Sequence, residues 1–204
     1  MIVQYNQPGF DPDWLRLVQN DPVHPGLAPE KRVEGPRTLF AYVVDGKPLY
    51  LISAFIGTTL ARTLADIIGA ERPPFSNGLQ HMCAIFYSIF RLADTVKGKG
   101  QQVIYEAIDY CKKQGVAEFF TLSPVPSLSR GFSVRPDLQS VASYLNSRQD
   151  AVARFHLDNG AELYSINYQA DGSPVRQQES WGIMVNYHYP DALPNSSAQT
   201  SPTP

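Results

Sequence analysis

The chain has 204 residues, of which 43% are hydrophobic and 18% charged, and its formal net charge is −2. This length and apolar content suit a single domain with a sizeable core, and the near-neutral balance gives no indication of a nucleic-acid partner or a membrane surface. No apolar run approaches the roughly 20 residues of a membrane-spanning helix, and the N-terminus lacks the basic and apolar regions of a signal peptide. We therefore expect a soluble, cytoplasmic protein.

Residues 1–36 are rich in proline and show little periodicity, apart from a short helical turn at 14–18. We interpret them as an N-terminal arm laid over the domain. The β-rich run 38–44 is predicted to be a strand, and the turn Asp45-Gly46-Lys47-Pro48 returns the chain along a second strand at 49–56. Asp-Gly between two apolar runs is a strong hairpin signal.

A helix, a buried strand and a second helix follow the hairpin. Leucine and isoleucine repeat at helical spacing after Thr58 or Thr59, either of which can cap the first helix, and Gly69 ends it. The segment 81–91 is apolar at nearly every position, which is typical of a strand buried on both faces. The second helix begins after a glycine loop and ends near Gln114.

The next strand, at 117–122, completes the order strand, glycine loop, helix, strand. Such a crossover unit predicts that the strands at 81–91 and 117–122 run parallel. Cys83 and Cys111 lie inside the first strand and the helix of this unit. Because two cysteines are too few for a disulfide framework or a multi-cysteine metal site, we expect both to be small buried hydrophobic residues.

The C-terminal part is predicted to contain two helices and two strands before a polar tail. The helices are expected at 136–145 and 150–159, and the strands at 162–168 and 181–189. The tail, 190–204, consists of Ser, Pro, Thr and Asn with almost no apolar content, so we expect it to be disordered.

Ser123 follows the strand at 117–122 and is itself followed by Pro124 and Pro126. A proline cannot donate to a sheet ladder, so the strand is predicted to finish near Ser123. Ligand crevices in open α/β sheets lie at such carboxyl ends of strands. Taken alone, Ser123 is equally typical of an ordinary proline-rich turn and of a hydroxyl that faces a ligand.

The loop Lys97-Gly98-Lys99-Gly100 lies between a buried strand and the start of a helix. Glycines let the backbone approach a ligand closely, free N–H groups of a first helical turn can hold an anion, and the two lysines add positive charge. An exposed flexible turn has the same residues, and the spacing is not that of a Walker loop. The loop is therefore a candidate phosphate site.

His156 lies about one turn before Gly160, which is expected to end the helix at 150–159. We expect Val152 and Phe155 to define the buried face of this helix, with His156 beside it. A half-buried histidine stabilised by the helix C-terminus has the same pattern as a catalytic one.

The order of elements predicts an α/β (α+β) fold, with one domain over 37–189 in which helices flank a mixed central sheet. It resembles the acyltransferase fold of the GCN5-related N-acetyltransferases, a family that holds the pyrophosphate and pantetheine of its acyl carrier at the glycine loop. Six blocks, in order along the chain, resemble the catalytic domain of malonyl-CoA decarboxylase. They are Val23-His24-Pro25, Ala84-Ile85-Phe86-Tyr87-Ser88-Ile89, Thr121-Leu122-Ser123-Pro124-Val125-Pro126, Val152-Ala153-Arg154-Phe155-His156-Leu157-Asp158-Asn159-Gly160-Ala161, Ile166-Asn167-Tyr168-Gln169-Ala170-Asp171 and Gly182-Ile183-Met184-Val185-Asn186-Tyr187-His188-Tyr189.

This resemblance implies that Ser123 and His156 match the family's catalytic serine and histidine and that Tyr189 matches a further active-site tyrosine. It implies decarboxylation of a malonyl thioester to the acetyl thioester. The helical insertion after the serine motif is short, at roughly 127–146, and the Gly-Lys-Gly loop replaces an acidic residue of the family. A compact form of this kind resembles the malonyl-acyl carrier protein decarboxylases. We therefore expect the thioester to be carried by an acyl carrier protein rather than by coenzyme A. The expected role is in starting fatty-acid synthesis. The sequence leaves open whether the chain forms a homo-oligomer.

The reaction that the resemblance implies needs no metal or organic cofactor, because the thioester carbonyl is itself the electron sink. We expect Ser123 to hydrogen-bond the carboxylate or the enolate oxygen and His156, with an ordinary pKa near 6.5, to protonate C2. No third residue that would orient the histidine is evident, so no acyl-serine is expected. His24 and Asn159 are further candidates.

Two other functions remain open for the same cleft. One is an acyltransferase that moves an acetyl group, and the other is a non-catalytic domain that only binds an acyl carrier protein. Tyr87 and Asn167 are expected to be structural, because each is embedded in a predicted strand.

Overall fold

The computed structural model describes residues 1–24, 27–69, 81–92 and 100–190. Three residues of the candidate phosphate loop, Lys97, Gly98 and Lys99, lie outside the described residues, and so does the expected tail from residue 191 onward. Within the described residues, no helix is long and apolar enough to cross a membrane.

The described residues form eight strands and seven α-helices, whose bounds are as follows. The strands are β1 (Ile2–Gln4), β2 (Arg37–Val44), β3 (Lys47–Gly57), β4 (Cys83–Arg91), β5 (Glu118–Thr121), β6 (Ser123–Pro124), β7 (Glu162–Asn167) and β8 (Met184–Tyr189). The helices are α1 (Trp14–Leu17), α2 (Leu64–Ile68), α3 (Gly100–Lys113), α4 (Leu128–Gly131), α5 (Leu138–Asn146), α6 (Ala151–Asp158) and α7 (Pro174–Ser180).

All eight strands belong to one sheet in the order β1-β2-β3-β4-β5-β8-β6, and β7 pairs with β8. The pair β4 and β5 is parallel, as the crossover through α3 predicts, and the other pairs are antiparallel. The mixed central sheet flanked by helices is therefore confirmed.

Helices cover the sheet on both faces. On one face α3, α5 and α6 pack with the sheet into one large core cluster, and the residues predicted to form the apolar face of α3 are all buried: Val103, Ile104, Ala107, Ile108 and Cys111. On the other face lie α2 and the N-terminal arm. Cys83 and Cys111 are both buried free thiols, as expected.

The predicted hairpin between β2 and β3 is confirmed, with a tighter turn than expected. Asp45 and Gly46 have φ angles of +50° and +75°, which are those of a two-residue type I′ turn. Val44 then pairs with Lys47 and Val43 with Pro48, so β3 begins at Lys47 rather than at 49.

The expected helix caps at Thr58 and Thr59 are wrong. The N-cap of α2 is Thr63, whose side chain accepts a hydrogen bond from the backbone N–H of Asp66 while the Asp66 side chain accepts from the backbone of Thr63. This reciprocal capping box satisfies two N–H groups of the first turn.

The N-terminal arm is part of the sheet, which the sequence did not indicate. Its β1 pairs with β2 at one edge of the sheet. Further along the arm, the fully buried Arg32 forms an ion pair with Asp21 at 2.7 Å. The short helices α4 and α7 were also not predicted, and because α7 ends at Ser180 the last strand begins at Met184 rather than at 181.

β4 and β5 separate midway along β4. Their last paired residues are Phe86 and Thr121, after which the Leu122 N–H still donates to the Phe86 carbonyl. β4 continues to Arg91 while Ser123 pairs with Val185 of β8. The parting strands open a cleft in the middle of the sheet.

Candidate active site

Ser123 lies at the point where β5 gives way to β6. β5 pairs with β4 on one side and β8 on the other, whereas Ser123 pairs with β8 alone, and its side chain lies against His156 of α6. Ser123 is 6% exposed and therefore shielded from bulk water. The serine is part of the sheet and not of an ordinary proline-rich turn.

His156 is on the buried face of α6, and not beside it as the periodicity predicted. The buried residues of α6 are Ala153 and His156, while Val152 and Phe155 are only half-buried. The Phe155 ring instead lies against Gly100 at the start of α3. This contact needs a glycine, because a Cβ atom on residue 100 would lie only 2.9 Å from the Phe155 ring. The imidazole of His156 instead stacks on the Tyr187 ring, with centroids 4.7 Å apart.

The predicted residues Ser123, His156 and Tyr189 meet in one chain of hydrogen bonds. Ser123 Oγ lies 3.0 Å from His156 Nε2, and His156 Nδ1 lies 2.9 Å from the Tyr189 hydroxyl. Ser123 Oγ also donates to Thr121 Oγ1 at 3.0 Å. The three residues come from the β5–β6 junction, from α6 and from the end of β8.

The directions of these hydrogen bonds follow from the number of hydrogens. The hydroxyl of Ser123 has one hydrogen, which it donates to Thr121. In that arrangement His156 Nε2 carries the imidazole hydrogen and donates to Ser123 Oγ, so Nδ1 accepts from the Tyr189 hydroxyl. The chain runs in one direction, from Tyr189 through His156 to Ser123.

Burial keeps the site uncharged. It lowers the pKa of His156 to about 3, and it raises the pKa of Tyr189, with smaller effects from Tyr105 and Tyr187. The expectation that His156 has an ordinary pKa near 6.5 is therefore wrong, because the imidazole is surrounded by aromatic rings and helix backbone. At neutral pH His156 is a neutral imidazole and Tyr189 a neutral phenol.

A cavity of about 300 Å³ opens beside Ser123 and His156, in the cleft between β4 and β6. Its other lining residues are Val23, Tyr50, Phe86, Tyr87, Ser88, Ile89, Gly100, Pro124, Ala151, Val152 and Phe155. Most of these side chains are apolar, and among the described residues that line it none is a lysine or an arginine. The cavity therefore suits the apolar part of a ligand whose reacting group lies near Ser123.

The wall of this cavity contains an irregularity in β4. Ser88 pairs with Ser53 and Phe86 with Ala54, so Tyr87 is an extra residue without a partner across the ladder. Such a β-bulge disrupts the ladder locally and redirects its backbone groups. Tyr87 was expected to be purely structural, but it lines the cavity.

Gly100, the last residue of the candidate phosphate loop, is the first residue of α3 and lines the cavity. The further candidates His24 and Asn159 are not among its lining residues. The ring of His24 contacts the Tyr87 carbonyl at 2.8 Å, which requires that Nε2 be the donor, and the Asn159 carbonyl accepts from Tyr105. Asn167 donates to Asn186 inside the sheet and is structural, as expected.

Two residues of the site, Thr121 and Tyr187, were missed from the sequence. Thr121 is two residues before Ser123, Tyr187 is two residues before Tyr189, and period-two alternation in a strand places such pairs on the same face. Tyr189 orients His156, so a third residue that positions the histidine does exist. No group of three or more metal-ligating side chains occurs among the described residues.

Comparison with known proteins supports the resemblance found in the sequence blocks. Residues 138–195 match the model of the malonyl-CoA decarboxylase C-terminal domain, a segment that contains His156 and Tyr189 but not Ser123. The mitochondrial malonyl-CoA decarboxylase of Anser anser anser is 53% identical over 49 residues, which are 23% of this chain and 10% of that protein. The predicted resemblance to malonyl-CoA decarboxylases is confirmed over this segment.

Two solved structures share the fold over nearly the whole chain. The malonyl-CoA decarboxylase of Agrobacterium vitis has a TM-score of 0.73 and 23% identity, and the match covers 93% of this chain and 60% of that one. The GphF GNAT-like decarboxylase in complex with isobutyryl-CoA has a TM-score of 0.62 and 12% identity, with 93% and 98% coverage. These likenesses show that the fold is that of the GCN5-related acyltransferases. The match covers 60% of the Agrobacterium protein, and the 49 matched residues cover 10% of the Anser protein, so the chain matches less than two thirds of the length of each.

Proposed function

We propose that the chain decarboxylates a malonyl thioester, releasing CO₂ and leaving the acetyl thioester. The observation that carries this proposal is the hydrogen-bonded chain Tyr189–His156–Ser123 at the wall of an apolar cavity. The match of 138–195 to the decarboxylase domain supports it. So does the GphF GNAT-like decarboxylase, a protein of the same fold that was solved in complex with isobutyryl-CoA.

The reaction breaks the bond between C2 and the carboxylate. The electron pair of that bond moves into the thioester carbonyl and forms an enolate, and C2 then takes up one proton. The site must therefore strip water from the carboxylate, hold the enolate oxygen and supply a proton. The thioester supplies the electron sink, so the proposal includes no metal and no organic cofactor.

The cavity wall favours loss of the carboxylate. Among the described lining residues no lysine or arginine is present to stabilise its negative charge. Moving a carboxylate from water into such a site raises its free energy. Neutral CO₂ and an enolate, whose charge is dispersed, are raised less, so the site favours the reaction. A cationic pocket would stabilise the substrate and slow this step.

Hydrogen-bond donors at the same wall can hold the enolate. When the substrate enters, the Ser123 hydroxyl can turn from Thr121 toward the thioester oxygen, and such a preorganised donor is worth about 3–4 kcal/mol in a water-excluded site. Tyr87 and Ser88 at the bulge of β4 also line the cavity, and their backbone N–H groups are candidates for a second donor.

His156 transmits the proton to C2 and does not act as an imidazolium. Once CO₂ has left, the Ser123 hydroxyl turns from the enolate oxygen to C2, gives C2 its proton and takes the Nε2 proton of His156. Nδ1 of His156 then takes the Tyr189 proton, and water reprotonates the Tyr189 phenolate and leaves as hydroxide. The two transfers between protein groups each follow a contact of 3.0 Å or less. A carbon anion is a far stronger base than these groups, so their low acidity does not prevent the transfer.

An acyl-serine intermediate is not part of the proposal. In a Ser-His-Asp triad a carboxylate stabilises the imidazolium that forms when histidine deprotonates the serine. Here the corresponding group is the Tyr189 phenol, and burial raises its pKa, so it gives no negative charge to His156. The arrangement suits proton relay better than nucleophilic attack.

We further propose that the thioester is carried on a phosphopantetheine arm, with an acyl carrier protein favoured over coenzyme A. The loop Lys97-Gly98-Lys99-Gly100 is the proposed phosphate site, and its last residue begins the 14-residue helix α3 at the cavity. A cytoplasmic role in starting fatty-acid synthesis is part of this proposal.

Incubation with malonyl-acyl carrier protein and, separately, malonyl-CoA tests the function. Mass spectrometry of each carrier is expected to show loss of CO₂ without an added acceptor, faster on the carrier protein, and Ser123→Ala is the matched inactive control. Transfer of an acetyl group to an acceptor without loss of CO₂ would point to an acyltransferase. An unchanged malonyl group on both carriers, with tight carrier binding, would leave only a binding domain.

A further inference from the structure

Asp150 is a fully buried carboxylate that accepts four hydrogen bonds. Its Oδ1 accepts from the backbone N–H groups of Val152 and Ala153 at 2.9 and 3.0 Å. Its Oδ2 accepts from the Ser127 hydroxyl at 2.6 Å and from the Ser127 backbone N–H at 3.2 Å. All four donors are uncharged, so the carboxylate is held by dipoles.

The two oxygens of this carboxylate bind two different parts of the site. Oδ1 caps the first turn of α6, the helix that carries His156 in its second turn. Oδ2 holds Ser127, which is four residues after Ser123 on the short proline segment that leaves β6. The Asp150 side chain therefore joins helix α6, which carries His156, to the segment that follows Ser123.

A second contact fixes the Ser127 end of this bridge. The Tyr144 hydroxyl of α5 donates to the Ser127 carbonyl at 3.0 Å and lies 3.0 Å from its hydroxyl. Movement of Ser127 would therefore break its contacts with both α5 and α6. The bridge is a firm link rather than an isolated surface contact.

We propose that Asp150 is a positioning residue, which sets the separation of Ser123 and His156 by tying the β6 loop to the start of α6. It touches neither the reacting atoms nor the cavity. Loss of the bridge lets α6 and the β6 loop move apart, which lengthens the Ser123–His156 contact and admits water to the imidazole. Displacements of about 1 Å in catalytic groups can lower rates by about 10²-fold.

The chain offers variants that separate the bridge from the helix cap. In Asp150→Asn the side-chain oxygen still caps α6, but the amide nitrogen that replaces Oδ2 cannot accept the hydrogen bonds from Ser127. Ser127→Ala removes the side-chain donor and leaves the cap untouched. Asp137→Ala is the matched control, because Asp137 caps α5 in the same way, accepting from the Ser140 N–H at 2.7 Å, and its hydrogen bond is to Ser140 and not to Ser127.

The first readout is the ionisation of His156, followed by NMR of ¹⁵N-labelled histidine between pH 5 and 8. The signal is assigned by its loss in His156→Gln. In the wild type and in Asp137→Ala the imidazole is expected to remain neutral throughout. In Asp150→Asn and Ser127→Ala it is expected to titrate within this range. This readout does not require that the proposed decarboxylation be correct.

The second readout rests on the proposed function and is the turnover of the malonyl thioester. We expect kcat to fall about 10-fold or more in Asp150→Asn and Ser127→Ala, with KM within about 2-fold, since the binding cavity is unchanged. Unchanged His156 titration in both bridge variants would overturn the proposal, and so would an equal effect of Asp137→Ala. If the wild type shows no turnover but His156 titrates in the bridge variants as expected, the proposed decarboxylation is wrong and the positioning role of Asp150 stands.

Discussion

Ser123 Oγ and His156 Nε2 lie 3.0 Å apart, although the two residues are 33 positions apart in the sequence. Both side chains are buried, and their contact joins the sheet to helix α6 at the wall of the cavity. This contact is the centre of the proposed relay, because it is where a proton would pass from the imidazole toward the substrate.

Removal of either partner is expected to abolish most of the activity. Ser123→Ala and His156→Ala should each lower kcat by about 10²-fold or more, since a donor to the enolate or a step of the proton relay is lost. Steady-state kinetics on the malonyl thioester measures this effect. His188→Ala is the matched control, because its half-buried ring contacts Glu118 at 3.0 Å and does not line the cavity, so kcat should be unchanged. Wild-type kcat in both site variants would refute the site assignment.

Tyr189 supports the relay from the other side of the imidazole. In Tyr189→Phe the Nδ1 atom of His156 loses its donor at 2.9 Å, and an unsatisfied buried acceptor costs about 1–3 kcal/mol. We expect kcat to fall by about 10-fold or more with KM little changed. Tyr110→Phe is the control, because it removes a hydroxyl that contacts Gln4 far from the cavity. Equal kinetics of the two variants would show that Tyr189 has no part in the chemistry.

The position of these residues along the chain could be predicted, but their contacts could not. The helix around His156 and the strand end at Ser123 follow from local signals, namely the Asp150 cap, Gly160 and the two prolines. Periodicity assigns Phe155 to the core, but its ring lies half-buried against Gly100, far away in the sequence, and His156 is the buried residue instead. Such a long-range contact leaves no local pattern.

Other misses have the same physical origin. β1 forms only because β2 offers an unpaired edge, and the bulge at Tyr87 becomes visible only when β4 is set against β3. The composition of β1 is that of an irregular arm, and the composition of β4 is that of a regular strand, so neither feature is visible in the sequence. The pKa of His156 also depends on which rings surround it, so the residue type alone gave the wrong value.

The buried neutral state of His156 predicts how stability depends on pH. Because its pKa is about 3 in the folded protein and 6.5 in the unfolded chain, only the unfolded chain takes up this proton between those values. The free energy of unfolding should therefore fall as pH drops from about 6.5 to about 3, by up to about 1.4 kcal/mol per pH unit from this group.

Urea unfolding of the wild type and His156→Gln at several pH values measures this dependence. The slope of the wild type below pH 6.5 should exceed that of the variant, while above pH 7 the two slopes should agree. Equal slopes at pH 4–6 would show that His156 is not held neutral by the fold.

The arm is anchored by the buried ion pair of Arg32 and Asp21. Asp21 also accepts from Ser88, a residue of the cavity wall, at 2.6 Å. Arg32→Met leaves the Asp21 carboxylate buried without its partner, so we expect a loss of about 3–5 kcal/mol in the free energy of unfolding.

Arg148→Met is the matched control for this loss. Arg148 pairs with Asp158 at the same distance of 2.7 Å, but both side chains are about half exposed, so the loss should be about 1 kcal/mol or less. Denaturant unfolding of both variants gives the comparison. A similar, small effect in both would contradict the anchoring role of Arg32.

The most direct test of the central claim is the reaction run in D₂O, with the methyl group of the acetyl thioester analysed by mass spectrometry. If C2 receives its proton through Ser123, His156 and Tyr189, whose hydrogens exchange with solvent, each acetyl group formed should carry one deuterium. Recovered malonyl thioester serves as the control for exchange before decarboxylation. Formation of acetyl thioester at the wild-type rate by the double variant Ser123→Ala/His156→Ala, or its formation without deuterium, would contradict the account.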